Sequence, residues 1–356
     1  MPTIHVNIYE EEFMPGGFLI NENRKLKKLL ITGASGFIGG FIVEEALQQG
    51  FDVYAGVRKS SDLNHLKDPR IKFFKTNLVN KKAIKTSLLE TGKFDYIIHN
   101  AGLTKTCKKL TFDLVNYQFS KTLFEALSET NSIPKKFIYI SSLAAYGPGD
   151  EKTLIPINES DTPKPVSLYG ESKLKTELYL KSLKDFPYLI FRPTGVYGPR
   201  EKDYYVMYKT IKSGLETYIG TKEQHLTFIY VKDLAALLIN ALNSEIVQKS
   251  YFVSDLKKYT AIEFNNIVKK ELNKKTIRIV FPKSLVKSIA FVGEKLSCLF
   301  LNKVPTLNTE KYKEISCKNW LCDASETSED FGFTPEYDLQ KGINETIAWY
   351  KKEKLL

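Results

Sequence analysis

The segment Thr32-Gly33-Ala34-Ser35-Gly36-Phe37-Ile38-Gly39 lies between an apolar run at 29–32 and a helical apolar pattern at 37–49 that Gly50 stops. Glycine at 33 permits a tight turn and glycine at 36 lets backbone approach a diphosphate. Glycine at 39 allows a helix to pack closely on its strand, with the helix N-terminus facing the anion. Ser35, Phe37 and Ile38 complete the expected contact turn. The spacing is G-x-x-G-x-x-G rather than G-x-G-x-x-G, and its place between strand and helix is what makes it a dinucleotide-binding signal.

Further strands read at 53–57, 71–75, 96–99, 137–141 and 188–191, separated by helical patterns at 81–90, 112–129 and 167–182. This alternation predicts an α/β fold, a doubly wound parallel sheet of the Rossmann type. After Pro193 the alternation loosens, with helices near 204–213, 233–242, 261–272, 284–299 and 339–351 and a strand near 227–231. Residues 25–192 plus about 225–250 are therefore expected to form the nucleotide-binding domain. Residues 193–224 plus 251–356 are expected to form a smaller, discontinuous substrate lobe over the C-terminal edge of the sheet. Residues 1–24 fit neither part; a short hairpin, an arm and an extension upstream of a start at Met14 are all open readings.

Composition narrows the function. Of 356 residues, 43% are hydrophobic and 26% charged, as in an ordinary globular protein. The net charge is +11, yet only six of 52 Lys+Arg are Arg and the lysines are spread along the chain. That argues against nucleic acid as a partner and for a diffuse cationic surface attractive to acidic ligands. The four Cys (107, 298, 317, 322) and four His (5, 65, 99, 225) show no C-x-x-C and no helical His pair, so neither a metal site nor a disulfide is expected. The N-terminus lacks the order of a signal peptide, and Glu294 and Lys295 break the apolar stretch 288–301. A cytoplasmic chain with no membrane span is expected.

Two positions refine the chemistry. After the second strand, where a carboxylate would hold the ribose of NAD, the chain reads Gly56-Val57-Arg58-Lys59-Ser60-Ser61, with no acid until Asp62. A cation there suits a 2′-phosphate, which predicts NADP(H) in preference to NAD(H), with Arg58 as main contact and Lys59 and Ser60 assisting. Tyr169 and Lys173 lie four apart on one helix face. A phenol titrates at about 10, so work near neutrality needs positive charge beside it. Ser141 and Ser142 end the strand at 137–141 at the same sheet edge.

Gly33/Gly36/Gly39, Ser142 and Tyr169/Lys173 together resemble the extended short-chain dehydrogenase/reductase superfamily, also called the NAD-dependent epimerase/dehydratase family. Three more segments extend the likeness over nearly the whole chain from residue 28. Arg192-Pro193-Thr194-Gly195-Val196-Tyr197-Gly198-Pro199-Arg200 is similar to the family's R-P-x-x-V-Y-G-P-R turn. Phe228 to Leu234 resembles F-I-H-V-x-D-L, with Tyr230 for His, and Gly332-Phe333-Thr334-Pro335 with Gly342 and Trp349-Tyr350 resembles the family's ending.

The resemblance implies that Tyr169 exchanges a proton with substrate oxygen, that Lys173 lowers the tyrosine pKa and binds the nicotinamide ribose, and that Ser142 polarises a carbonyl. Ser-x-x-x-Tyr-Gly spacing selects Ser142 over Ser141. Asn116 resembles an asparagine that assists a proton-relay water; a helix kink or a solvated side chain is the other reading. Asn100, Ala101 and Gly102 are expected against the cofactor, as are Pro193 and Thr194, while Asn77-Leu78 replaces the usual Asp-Leu at the adenine end. His99 is expected to pack, Arg192 to anchor the two lobes, and Arg200 and Lys202 to face the substrate mouth. A homodimer through paired helices is a further implication.

The leading functional expectation is an NADPH-dependent carbonyl reductase or alcohol dehydrogenase acting on a small carbonyl or alcohol. The alternative is a nucleotide-sugar epimerase with bound NAD; Leu143-Ala144-Ala145 offers no acid for a dehydratase. A third is a non-catalytic NADP-binding regulator. Segment 281–304, with Leu285, Ile289, Val292 and Leu296 at helical spacing, resembles dihydroflavonol-reductase-like and 3β-hydroxysteroid-dehydrogenase-like relatives. It implies an apolar carbonyl substrate, or else a helix that packs on the terminal lobe.

Overall fold

Alternation in the first strand, β1 (Lys28–Thr32), feeds two separate cores, because successive side chains point to opposite faces of a sheet. Leu29 and Ile31 enter one core and Leu30 the other. The computed structural model describes residues 26–356 apart from Lys222 and Asn302, so the reading of residues 1–24 lies outside it. Six further strands complete a parallel sheet: β2 (Asp52–Val57), β3 (Lys72–Lys75), β4 (Tyr96–His99), β5 (Lys136–Ile140), β6 (Tyr188–Pro193) and β7 (Lys249–Val253). The order is β7-β6-β5-β4-β1-β2-β3. Every residue of β5 and β6 is buried, as expected where helices cover both faces.

On one face α1 (Phe37–Gln48) supplies Phe41, Ile42 and Ala46, and the later helix Val231–Ala241 supplies Leu234, Leu237 and Leu238. On the other, α2 (Lys81–Thr91), α3 (Phe119–Glu129) and α4 (Leu168–Ser182) supply Ile84, Leu88, Leu123, Phe124 and Leu180. The chain runs from β1 outward to β3 and then returns to lay β4 on the opposite side of β1. The loops after β1 and β4 diverge, which opens a crevice at that switch point.

A third, largely aromatic core lies in the C-terminal part of the chain. Tyr197, Tyr208, Phe228 and Phe264 pack with Ile343, Ile347 and Tyr350 of the terminal helix Leu339–Lys352. Short strand pairs, Gly195–Tyr197 with Phe228–Tyr230 and Leu215–Ile219 with Ile277–Phe281, brace it. Three of these four pieces, with β7, went unread in the sequence, since runs of three to five residues carry too little periodicity to stand out.

One expectation is overturned outright. Cys107 and Cys298, 191 residues apart, form a disulfide, while Cys317 and Cys322 are free. Scatter along a sequence says nothing of distance in space, and folding brings the loop after β4 against the end of the helix near 283–301. Among the described residues no helix is long and apolar enough to cross a membrane.

Arg192, fully buried at the end of β6, holds the domain together from within. It donates to both Glu177 carboxylate oxygens at 2.7–3.0 Å and to Glu159 at 2.6 Å, and its guanidinium lies 4.4 Å from the Tyr146 ring centre. Burial works against the charge, but the two glutamates overrule it and hold the guanidinium pKa above its usual value. Arg192→Met leaves Glu177 buried without its cation. The expected cost is about 3–5 kcal/mol, read from urea denaturation; a loss under about 1 kcal/mol would mean the pair is not an anchor.

Candidate active site

The glycine turn is built by contact between bare backbones. Gly33 has φ +69°, and a Cβ there would lie 2.8 Å from Ala101 N in the loop after β4. A Cβ on Gly39 would collide with the Gly33 carbonyl and sit 2.8 Å from Ala34 Cα. Gly36, exposed at the N-cap of α1, has no side-chain cap to offer the first turn, so the amides of Phe37, Ile38 and Gly39 are left for an anion. Asn100 donates to the Gly33 carbonyl at 3.3 Å and Ala101 N to Thr32 Oγ1 at 3.1 Å, fastening the two loops together.

Below this floor runs a buried polar chain. Thr32 Oγ1 lies 2.7 Å from His99 Nδ1, His99 Nε2 lies 2.8 Å from Ser120 Oγ, and Ser120 donates to the Asn116 carbonyl at 2.6 Å. Since the Ser120 proton is spent on Asn116, Ser120 accepts from Nε2–H, and Nδ1 accepts from Thr32. Burial, with Lys173 adding to it, pushes the His99 pKa down to about 3. A neutral, fully bonded imidazole is a packing group.

The three catalytic candidates come together at the C-terminal edge of β5. Ser142 caps one turn of 3-10 helix, Leu143–Ala145, accepting from Ala144 N at 3.2 Å, whereas the Ser141 hydroxyl is consumed by Glu177. Tyr169 is the second residue of α4, whose first turn is pinned by Ser167 to Gly170 N at 3.1 Å and by Glu310 to Leu168 N at 2.6 Å. Lys173 is buried one turn later, donating to the Ile140 carbonyl at 2.7 Å and lying 4.9 Å from the Tyr139 ring centre. A Cβ on Gly102 would sit 3.3 Å from both Lys173 Nζ and Asn116 Oδ1, close enough that these side chains would have to give by a few tenths of an ångström.

The electrostatics differ from the expectation. Burial pushes the Tyr169 phenol up to about 12, opposed by the Ser142 hydroxyl, and pushes Lys173 down to about 8, opposed by Glu177. Burial outweighs any lowering of the phenol, and the Lys173 ammonium donates to the Ile140 carbonyl. Asn116 sits in a π-helical turn, Asp113–Gln118, and its amide clasps Leu103 N and O at 2.7 and 3.0 Å and Ser172 Oγ at 2.9 Å. It clamps the loop after β4 onto α4.

At the end of β2, Arg58, Lys59 and Ser60 are exposed, and Arg58 N donates to Ser61 Oγ at 3.0 Å. The nearest acid, Asp62, accepts from Asn64 N at 3.0 Å. Asn77 is exposed and caps Val79 N, and Leu78 leans on the core. Pro193 is buried at the end of β6, and the buried hydroxyls of Thr194 and Thr76 have no partner among the described residues. The orphaned Thr194 hydroxyl and the side-chain-free glycine cradle both fit a pyridine nucleotide. Thr76 was missed; a hydroxyl at a strand end is the signal that could have found it.

Arg200 is a correction. With φ +76° it turns back onto α1, pairing with Glu44 at 2.7 Å and lying 4.6 Å from the Phe41 ring centre, so it braces that helix, while its Nε and Nη1 are buried without a partner among the described residues. Lys202 is exposed. Lys105, not singled out from sequence, bridges the loop after β4 to Asp203 at 2.9 Å. A cavity of about 540 Å³ opens beside Val166, in the loop leading into α4, with Lys287, Phe291, Tyr312 and Lys313 among its walls.

Residues 29–253 match the model of the NAD dependent epimerase/dehydratase family. Sterol-4-alpha-carboxylate 3-dehydrogenase, decarboxylating, of Candida albicans is 24% identical over 93% of this chain and 99% of its own. Human dTDP-D-glucose 4,6-dehydratase is 24% identical over 95% and 92%. The structure of Thermus thermophilus UDP-glucose 4-epimerase in complex with NAD superposes with a TM-score of 0.73 at 21% identity, covering 91% of this chain and 99% of that one.

The buried His99 carries a pH signature. Its pKa is about 3 folded against 6.5 unfolded, so the unfolded chain binds the extra proton in that window and stability falls as pH drops below 6.5. Between pH 6.5 and 5 this group contributes a loss of about 2 kcal/mol. Urea denaturation should show His99→Asn losing that much less than wild type across the interval; parallel losses would contradict the neutral assignment.

Proposed function

Since the chain belongs to the NAD-dependent epimerase/dehydratase family, we propose that it is a hydride-transfer enzyme working at a secondary alcohol or ketone carbon through Tyr169, Lys173 and Ser142. The observation that carries this reading is their meeting at the edge of β5, beside a glycine cradle built to the width of a backbone. A nicotinamide, when bound, supplies the hydride acceptor or donor. The chain's residues supply the rest. Tyr169, held protonated by burial, is set to give its proton to a substrate oxygen. Ser142 stands at the same edge to orient that oxygen. Lys173 keeps its amine at the edge of charge, pushed down to about 8, where modest rearrangement shifts its proton. Asn116 fixes the loop that covers both.

For the substrate, a nucleotide-activated sugar is the preferred class, with epimerisation as the net reaction; this displaces the carbonyl reductase expected first. The support is the naming of UDP-glucose and dTDP-glucose enzymes among proteins that align over nearly the whole chain. Dehydration is disfavoured, since Leu143, Ala144 and Ala145 beside Ser142 are apolar and buried. One observation favours a second reading, NADPH-dependent carbonyl reduction: the acid-free, exposed Arg58-Lys59-Ser60 end of β2. A homodimer belongs to either reading.

Mass spectrometry of cofactor carried through purification, followed by sugar nucleotides without added cofactor, separates the two. Conversion of a UDP- or dTDP-sugar supports epimerisation; turnover only with added NADPH supports reduction. Under both, Tyr169→Phe should lower turnover about 10²–10⁴-fold, and near-full activity in that variant would defeat the assignment. Arg58→Ala should weaken NADPH about tenfold while sparing NADH; equal effects on both would remove the 2′-phosphate role.

A further inference from the structure

The helix Lys283–Leu296, continued by a π-helical turn Ser297–Leu301, packs on the wrong face for its sequence. Leu285, Ile289, Val292 and Leu296 form its apolar stripe, yet they are 45–53% exposed, and the buried positions are Val286 and Ala290. At the end of the element, Leu299 and Phe300 are 76% and 73% exposed. An apolar strip this continuous, left to water, marks an interaction surface.

Its rim is cationic. Lys287, Lys295 and Lys303 are exposed around the stripe. The one acid of segment 283–304, Glu294, is turned inward, accepting from Thr309 N at 2.7 Å and Thr309 Oγ1 at 2.6 Å. The Cys107–Cys298 disulfide then fastens the end of the element to a loop that exposes Lys108, Lys109 and Leu110. A second copy docked about a two-fold axis would set this lysine rim against itself, whereas phosphate headgroups complement it.

We propose that residues 283–301, with the loop tied to Cys107, dock the protein peripherally on an anionic lipid surface. The apolar stripe enters the acyl boundary and the lysines meet the headgroups. Docking is peripheral because no described helix is long and apolar enough to span. Lys287 and Phe291 also wall the cavity beside Val166, so docking holds that cavity at the lipid surface. The proposal rests on the exposed face alone and stands whichever reaction the site performs.

The test is co-sedimentation of the full chain with vesicles of phosphatidylcholine alone and of phosphatidylcholine with phosphatidylglycerol. Partition into the anionic vesicles, reduced by salt and absent with the neutral ones, is expected. Leu299→Asp with Phe300→Asp should abolish it while leaving turnover of a soluble substrate unchanged. Lys295→Glu, an exposed change that does not threaten folding, should weaken it about fivefold or more. No partition, equal partition into neutral vesicles, or partition unaffected by these variants would overturn the proposal. It would fall equally if the double aspartate variant turned a dimer into a monomer, or if binding emerged only after residues 1–25 were removed.

Discussion

The nucleotide crevice depends on backbone meeting backbone without side chains between. A Cβ on Gly33 would press on Ala101 and one on Gly39 on the first turn itself, so β1, α1 and the loop after β4 approach as closely as peptide planes allow. Helix α1 can then aim its uncapped amides into the space where the two loops part. Any side chain at these points would push α1 outward and fill the crevice together. Arg200, reaching back from the turn after Gly198 to Glu44 and Phe41, presses α1 into place from outside.

Around that crevice two networks of buried polar side chains are hydrogen-bonded end to end, while the hydroxyls of Thr194 and Tyr139 are buried without a partner among the described residues. Thr32, His99, Ser120 and Asn116 form one chain; Ser141, Glu177, Arg192 and Glu159 form another. Each network leaves one hydroxyl or amine of the proposed catalytic set outside it. Ser141 is bound and Ser142 is turned to the edge; Lys173 rests on a carbonyl that a small movement would release. Such networks make a site rigid because no member can move without unpairing another.

What was legible in the sequence was local. The sheet strands through β6 and the helices between them follow from apolar periodicity, and the glycine turn and Tyr169/Lys173 follow from fixed spacing on a single element. What escaped depended on contacts between distant segments. The Cys107–Cys298 bond spans 191 residues, and Arg200 needed a left-handed backbone to turn toward α1. The direction of the Tyr169 shift is set first by burial, which no spacing on a single helix reveals. The helical spacing of Leu285, Ile289, Val292 and Leu296 was legible, but periodicity cannot say whether an apolar face meets core or solvent.

The most direct test of this account is calorimetric titration of NADH and NADPH into the purified, cofactor-stripped chain and its Gly36→Ala variant. At Gly36 a Cβ would lie 3.2 Å from the Gly33 carbonyl, tight but tolerable for the fold, while occupying the space a diphosphate needs. The account predicts one nucleotide per chain in wild type and an affinity at least about tenfold weaker in the variant, with its unfolding midpoint nearly unchanged. Equal affinity in the two proteins, or no nucleotide bound by wild type, would contradict it.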